Sequence, residues 1–372
     1  MGTAATAASQ IHIAYLEPQE VREPLITCSL AASSQTTAFR KEPDLGQRKV
    51  SRGKLELGGA PGAAIPFIWD RAQAKLYLDL NRNLDLTDDA DGVFTSPRKG
   101  FSQSFTNVHL VFDTASGTRR VLVDIDLADY GILKLIGSLG SRSFWQGKIN
   151  LQGQDWQVGV IENPAGPFRH SHLLLRPWQN RAERFSLMDG SLDAFAFPTN
   201  LFFLNRAYQV TCDARPQGDP PKLRLQFREL PARLGGLKLA GAFLQRVILE
   251  AGDYTVVLDS PPPLVKVPVG TYGQPRAWLK RGDAQACRSP GGLVTTSRIA
   301  ITENQTVDLT LGGPLTNSVA ISRRTKQLVF NYQLLGADGV PYQLTSGDRS
   351  KPPEFIVFQG EKKIASGSFE FG

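Results

Sequence analysis

Apolar and polar residues alternate along nearly the whole of this chain, and that period of two narrows its fold more than any other property. In Arg120–Leu127 (RVLVDIDL), Val121, Val123, Ile125 and Leu127 share one side, with Asp124 and Asp126 on the other. Lys222–Arg228 (KLRLQFR) sets Leu223, Leu225 and Phe227 against Lys222, Arg224, Gln226 and Arg228. Successive side chains of a strand point to opposite faces, so this is the pattern of antiparallel strands with one wet face. Turn signals separate the runs: Ser116-Gly117, Gly235-Gly236, Pro261-Pro262-Pro263 and Asp338-Gly339. Helical periodicity is scarce. Ala128–Ser141 and Ala240–Glu250 suggest short helices, the second weakened by Gly241. The expectation is an all-β fold: multi-domain antiparallel β-sandwiches with little helix.

At 372 residues the chain exceeds one ordinary domain. Composition shifts at the Pro/Gly-rich stretch Ala214–Pro221 and again at Leu311–Leu315 (LGGPL). They place domains at 1–215, 216–312 and 313–372, the first large enough to hold two sheets. A faint echo links Gly53–Gly59 (GKLELGG) with Gly147–Gly153 (GKINLQG), and more loosely with Gly236–Gly241 (GLKLAG). It fits either repeated sandwich units or a chance likeness between hairpins.

A net charge of +7 raises the question of a polyanion partner. The basic pairs, Arg40-Lys41, Arg48-Lys49, Arg98-Lys99, Arg119-Arg120 and Arg323-Arg324, are scattered and carry no interleaved aromatics. They read as solvated surface, with no nucleic acid partner. No apolar run approaches the roughly 18 residues of a membrane span. The small, polar start, Met1–Tyr15, lacks the charged and apolar regions of a signal peptide. It is read as a chain whose leader has been removed, and hence as extracellular or periplasmic, although a cytosolic start has the same look. The cysteines, Cys28, Cys212 and Cys287, are odd in number, so they form no disulfide framework. Cys212 and Cys287 are left either paired or as buried thiols.

The stretch Leu76–Gly92 (LYLDLNRNLDLTDDADG) carries the most chemistry. Asp79, Asn81 and Asn83 stand at every second position, Asp85 follows, and then Asp88 and Asp89. Ca²⁺ takes six to eight oxygens, and a short loop of this spacing turns such side chains inward around one ion. In this reading Asp79, Asn81 and Asn83 supply side-chain oxygens, Asp85 its main-chain carbonyl, and Asp88 or Asp89 closes the set. The segment resembles the D-x-[DN]-x-[DN]-G loop of EF-hand and dockerin-like repeats, with Leu84 in place of the glycine and Ala90 in place of the final glutamate. The resemblance implies a looser, weaker calcium loop. The plain alternative is a strand, Lys75–Leu80, running into an Asx-rich turn.

Leu110–Ser116 (LVFDTAS) resembles the apolar-apolar-Asp-Thr-Gly/Ala-Ser/Ala motif of aspartic proteases. That likeness implies Asp113 as one of two carboxylates sharing a proton. No second copy matches, because Asp259-Ser260 runs into three prolines, so the alternative is a retroviral-type peptidase completed by a dimer mate. Its expected later strand falls on Leu135-Ile136-Gly137. The simpler expectation is a hairpin across Ser116-Gly117. His170 and His172 share a strand face without a third ligand. Trp69, Trp145, Trp156, Trp178 and Trp278 offer a sugar-stacking platform or, more simply, core.

Two modules show likenesses. Val267–Tyr272 (VPVGTY), after Tyr254–Leu258, resembles the P-x-G-x-Y strand opening of transthyretin-like or carboxypeptidase-regulatory-like modules. Phe355–Phe358 with Lys363–Phe371 is similar to the closing hairpin of immunoglobulin-like domains in secreted bacterial proteins. Both imply scaffolding or binding. The overall expectation is a non-catalytic exported protein, calcium-stabilised, that binds a protein or glycan partner. The alternatives are the Asp113 peptidase and a carbohydrate-binding protein.

Overall fold

The computed structural model describes residues 10–22, 24–30, 32–33, 38–57, 64–99, 102–114, 117–128, 136–164, 170–178, 194–217, 221–288, 298–325, 327–345 and 352–369. It is all-β with several mostly antiparallel sheets; among the described residues helical conformation is confined to a 3-10 turn at Ala90–Gly92 and to His170. The chain divides into two compact units, Met1–Pro198 with Val210–Arg228, and Thr199–Gln209 with Glu229–Gly372.

In the first unit two five-stranded sheets face each other. One runs Ile26–Leu30, Ile136–Ser141, Gly117–Ala128, Ser102–Thr114, Arg98–Lys99. The other runs Ala32–Ser33, Ser51–Leu55, Ile65–Asp70, Lys75–Leu78, Val93–Thr95. Between them lie Leu55, Phe67, Trp69, Leu76 and Leu78 from one side and Phe105, Leu110, Val121, Val123, Ile125 and Leu127 from the other. The alternation expected for Arg120–Leu127 is therefore observed, and so is that of Leu223, Leu225 and Phe227, all fully buried. Ile65–Asp70 is buried along its whole length because its second face also packs: Ile68 joins Leu45, Tyr77 and Leu86 in a smaller core. A separate run of strands in this unit begins Phe195–Ala196, His172–Pro177, Gln154–Ile161, Ser143–Leu151, Ile11–Glu20, Lys222–Leu230, with Ile11 opposite Arg228 and Leu16 opposite Leu223.

In the second unit one run of strands is Asn200–Phe203, Tyr254–Asp259, Leu244–Glu250, Arg276–Arg281, Ala284–Arg288, Pro341–Leu344, Gln327–Leu335, Thr316–Arg324. Smaller sheets are formed by Leu264–Pro268, Leu234–Ala240 and Thr306–Thr310, and by Gly270–Tyr272 with Ile299–Ile301. Tyr272 of the P-x-G-x-Y stretch is fully buried and donates its hydroxyl to the Pro268 carbonyl at 2.8 Å.

Three local expectations are corrected. The second candidate helix is the strand Leu244–Glu250. In the first, residues 129–135 lie outside the described set and Ile136–Ser141 is a strand. Gly235-Gly236 is no turn but the interior of Leu234–Ala240, where a Cβ on Gly235 meets the Thr302 carbonyl oxygen at 2.3 Å. Asp338-Gly339 is a turn, with the Gly339 N–H on the Gly336 carbonyl at 2.9 Å. Ala214–Gln217 continues the strand Arg206–Gln217. The Leu311 N–H donates to the Ala240 carbonyl and Gly313 bridges Ala242. Cys212 and Cys287 carry thiols and form no disulfide.

Candidate functional site

The acidic loop leaves the sandwich at the end of Lys75–Leu78. That strand pairs with Ile65–Asp70, and the Asp79 N–H continues the ladder onto the Pro66 carbonyl at 2.9 Å. The Asp79 side chain is thereby fully buried. Its two oxygens accept from the main-chain N–H groups of Asn83 at 3.1 Å and Leu84 at 3.0 Å. A series of Asx turns follows: Asn81 Oδ1 accepts from the Asn83 N–H at 2.9 Å, Asn83 Oδ1 from the Asp85 N–H at 2.7 Å, and Asp85 Oδ1 from the Thr87 N–H at 2.9 Å. This is why short oxygen-bearing side chains recur at every second position, since each closes a turn on the main chain two residues ahead.

Leu84 stands where the EF-hand-type loops that the segment resembles have glycine, and the main chain still takes the glycine conformation there. Its φ is +67°, and that of Arg82 is +61°. Left-handed backbone costs a β-carbon-bearing residue about 1–2 kcal/mol, here offset by anchors. Leu86 is buried beside Ile68 and Tyr77, the Leu86 N–H donates to the Lys41 carbonyl, and Arg82 Nη2 donates to the Val111 carbonyl at 3.1 Å.

The loop closes on Gly92. Its N–H donates to the Asp89 carbonyl at 3.0 Å, and a Cβ built there lies 2.3 Å from the Leu78 carbonyl oxygen. That approach excludes any side chain without main-chain movement. Gly92→Ala is expected to lower stability by about 1–3 kcal/mol, as overpacking does. Gly252→Ala, with open space around it, is expected to be neutral. Urea denaturation of the two variants checks this.

The carboxylates differ in how they are satisfied. Asp88 accepts from the side-chain amides of Asn81 at 3.1 Å and Asn83 at 2.7 Å. Asp85 turns to Thr87 and lies 3.9 Å from Lys41 Nζ, which leaves its main-chain carbonyl for the expected role. Hydrogen bonding to Thr87 draws the Asp85 carboxyl below the usual carboxylate range. Asp89 is 8% exposed, and its Oδ2 is buried with no hydrogen-bond partner, although the main-chain N–H groups of Leu80 and Asn81 donate to its carboxylate. Burial first, then the neighbouring charges of Asp79 and Asp88, push its pKa up. Asp79, Asn81, Asn83, Asp88 and Asp89 are thus linked to one another, three of them acidic. Among the described residues no three His, Cys, Asp or Glu side chains gather as a metal cluster. An ion at this loop would draw on Asp89 and Asp79 together with amide and main-chain oxygens. The accepting oxygens suit a hard cation, because each keeps a second lone pair.

The other candidates are placed as follows. Asp113 lies in Ser102–Thr114 opposite Thr118, one position before the closing pair Thr114 and Gly117 of the hairpin. Its side chain, Leu135, and the connecting residues 115–116 lie outside the described set. Ile136-Gly137 opens the strand Ile136–Ser141. His170 is exposed and His172, half-buried, opens its strand opposite Ile161. Trp69, Trp156 and Trp278 are buried, and Trp145 and Trp178 are half-buried, so none of the five stands fully exposed to stack on a sugar.

A buried polar cluster was not anticipated. Arg119 Nη1 donates to Glu162 Oε2, Trp145 Nε1 donates to Glu162 Oε1 at 2.7 Å, and the ionic side chains are only 9% and 8% exposed. Burial, and next the Glu162 charge, push the nearby Cys212 thiol up to about 12, which makes it a poor nucleophile. The signal was parity: Arg119 is in phase with buried Val121 and Val123, and Glu162 with Val158 and Val160. No family model, curated protein or solved structure matches the chain.

Proposed function

We propose that this chain is a non-catalytic, exported binding or scaffold protein whose loop Asp79–Asp89 takes Ca²⁺. The observation that carries the reading is the buried, unpartnered Oδ2 of Asp89 beside Asp79 and Asp88. A carboxylate oxygen removed from water without a donor is costly, and a cation removes that cost together with the repulsion. Millimolar Ca²⁺ is the condition of extracellular and periplasmic spaces, where weak sites of this kind operate. The transthyretin-like likeness of 216–312 agrees with a scaffold, because buried Tyr272 acts there as a structural clasp. The immunoglobulin-like likeness of 313–372 agrees with a binding role toward a protein or glycan.

The test is thermal unfolding in EDTA against Ca²⁺, with Mg²⁺ as control. Sites of this class bind with Kd on the order of 10⁻⁴–10⁻³ M. At roughly ten to a hundred times Kd, binding adds about 1.4–2.7 kcal/mol, which is a rise of roughly 3–10 °C for a unit of this size. The rise is expected to be specific to Ca²⁺, since Mg²⁺ demands near-octahedral geometry, and to vanish in Asp79→Ala. Equal midpoints in EDTA and Ca²⁺ would remove the ion and leave an Asx-rich turn.

A further inference from the structure

Residues 38–50 belong to no strand of the first unit, and Leu45 is their only buried side chain. They lie along the unit as a strap whose two ends are tied down by different means. At the later end Arg48 Nε donates to Asp70 Oδ2 at 2.7 Å, and Asp70 is fully buried at the close of the strand Ile65–Asp70. At the earlier end the main chain is tied to the acidic loop. The N–H groups of Arg40 and Lys41 donate to the Leu84 carbonyl at 2.8 and 3.3 Å, and the Leu86 N–H donates to the Lys41 carbonyl at 3.1 Å. Lys41 Nζ lies 3.9 Å from Asp85 Oδ2, and Phe39 packs on the small core that holds Leu86.

Leu84 is the joint between loop and strap. Its N–H is held by Asp79 Oδ2 at 3.0 Å, its carbonyl holds Arg40 and Lys41, and its main chain is left-handed at φ +67°. A leucine keeps that conformation only while its surroundings hold it. One holder is Asp79, whose charge repels that of Asp89, the buried carboxylate with an unpartnered Oδ2. A cation shared by the two relieves the repulsion and fixes Asp79, and through it the acceptor of both strap hydrogen bonds. A segment with one buried side chain and exposed Arg40 and Lys41 opens at little cost once that acceptor moves.

We propose that the acidic loop is a calcium-controlled latch: with Ca²⁺ bound it holds the strap at Arg40-Lys41, and without the ion this end lifts while Arg48 stays on Asp70. The proposal rests on the calcium reading and adds what the ion regulates, which is the access of proteases to the bond after Lys41.

The experiment is digestion of the full chain with a lysine-specific endoprotease in EDTA and in Ca²⁺, the cuts mapped by mass spectrometry. Ca²⁺ binding to the same protein is measured by isothermal titration calorimetry. Lys49, exposed beside Arg48, is the internal reference. Cleavage through a local opening follows the population of the open form, so Ca²⁺ at roughly ten to a hundred times its Kd is expected to slow the cut after Lys41 about 10–100-fold. The cut after Lys49 is expected to change little. In Asp89→Asn the repulsion is gone, so Lys41 is expected to be protected already in EDTA and to gain nothing from Ca²⁺. A chain that binds Ca²⁺ while Lys41 is cut at an unchanged rate overturns the latch and leaves the calcium reading standing. A chain that binds no Ca²⁺ loses both. Equal slowing at Lys41 and Lys49 is general stabilisation and overturns the latch, as does an Asp89→Asn chain cut after Lys41 as fast as the wild type in EDTA.

Discussion

Replacing Glu162 with alanine is expected to destabilise the first unit by about 3–5 kcal/mol, the range for removing one member of a buried ion pair. Arg119 sits on Gly117–Ala128, Trp145 on Ser143–Leu151, and Glu162 directly follows Gln154–Ile161, so one carboxylate ties three strands. Without it the Arg119 guanidinium keeps its burial and loses the Glu162 carboxylate, and the Trp145 indole loses its acceptor. Urea denaturation of the full chain measures the loss, and a change below about 1 kcal/mol would sink the argument, since that is the worth of a solvent-screened pair. The double variant Arg119→Met with Glu162→Leu is expected to recover much of the stability, because an apolar pair of similar volume carries no desolvation penalty. In Glu162→Gln the Cys212 thiol also loses a neighbouring negative charge. Its titration is expected to move down from about 12, readable as alkylation rate against pH.

The second large effect is a change of sign, with and without Ca²⁺, in the pH dependence of the acidic loop Asp79–Asp89. Asp89 has its folded-state pKa raised above the ordinary 3.8, so the folded chain holds that proton more tightly than the unfolded chain. Between the ordinary and the raised value, stability must fall as pH rises, and the penalty is fully present above the raised value. In EDTA, Asp89→Asn is therefore expected to melt above the wild type at neutral pH and to lose this difference on acidification. Asp85 works in the opposite direction: its lowered pKa contributes stability above 3.8 that is lost as pH falls. The difference between wild type and Asp89→Asn isolates Asp89 from that background. With saturating Ca²⁺ the ion favours the carboxylate, so the wild type is expected to melt above Asp89→Asn at neutral pH and to lose its advantage as acid displaces the ion. Melting curves of both proteins from neutral pH to pH 4, in EDTA and in Ca²⁺, check this. Asp89→Asn melting below wild type in EDTA at neutral pH would contradict the strained-carboxylate account.

How far this was legible in the sequence depended on how many faces a strand buries. Arg120–Leu127 and Lys222–Arg228 bury one face, and their alternation announces it. Leu244–Glu250 buries Val247, Ile248 and Leu249 in succession, with no period of two, and a short continuous apolar run is indistinguishable from a helical face by periodicity. In the acidic loop the order of oxygen-bearing residues was readable, because Asx turns repeat every second residue. The left-handed backbone at Leu84 was not, because it is held by the Lys41 carbonyl and by Leu86 on a separate small core. Asp89 was one of several acidic residues in the sequence, and only its burial sets it apart.

The pairing of Ile11–Leu16 with Leu223–Arg228 has a consequence for the order of events in the cell. A ribosome adding about 5–20 residues per second needs roughly 10–40 s to make what separates the two partners. Throughout that interval Ile11–Leu16 lacks this partner, although Glu17–Glu20 can already pair with Ser143–Gln146 once those residues are made. Leu16 waits for Leu223, and Ala14 for Leu225. The growing chain must carry Ile11–Leu16 with that edge open until Leu223–Arg228 is made, and a factor that meets the chain in that interval finds the edge unpaired.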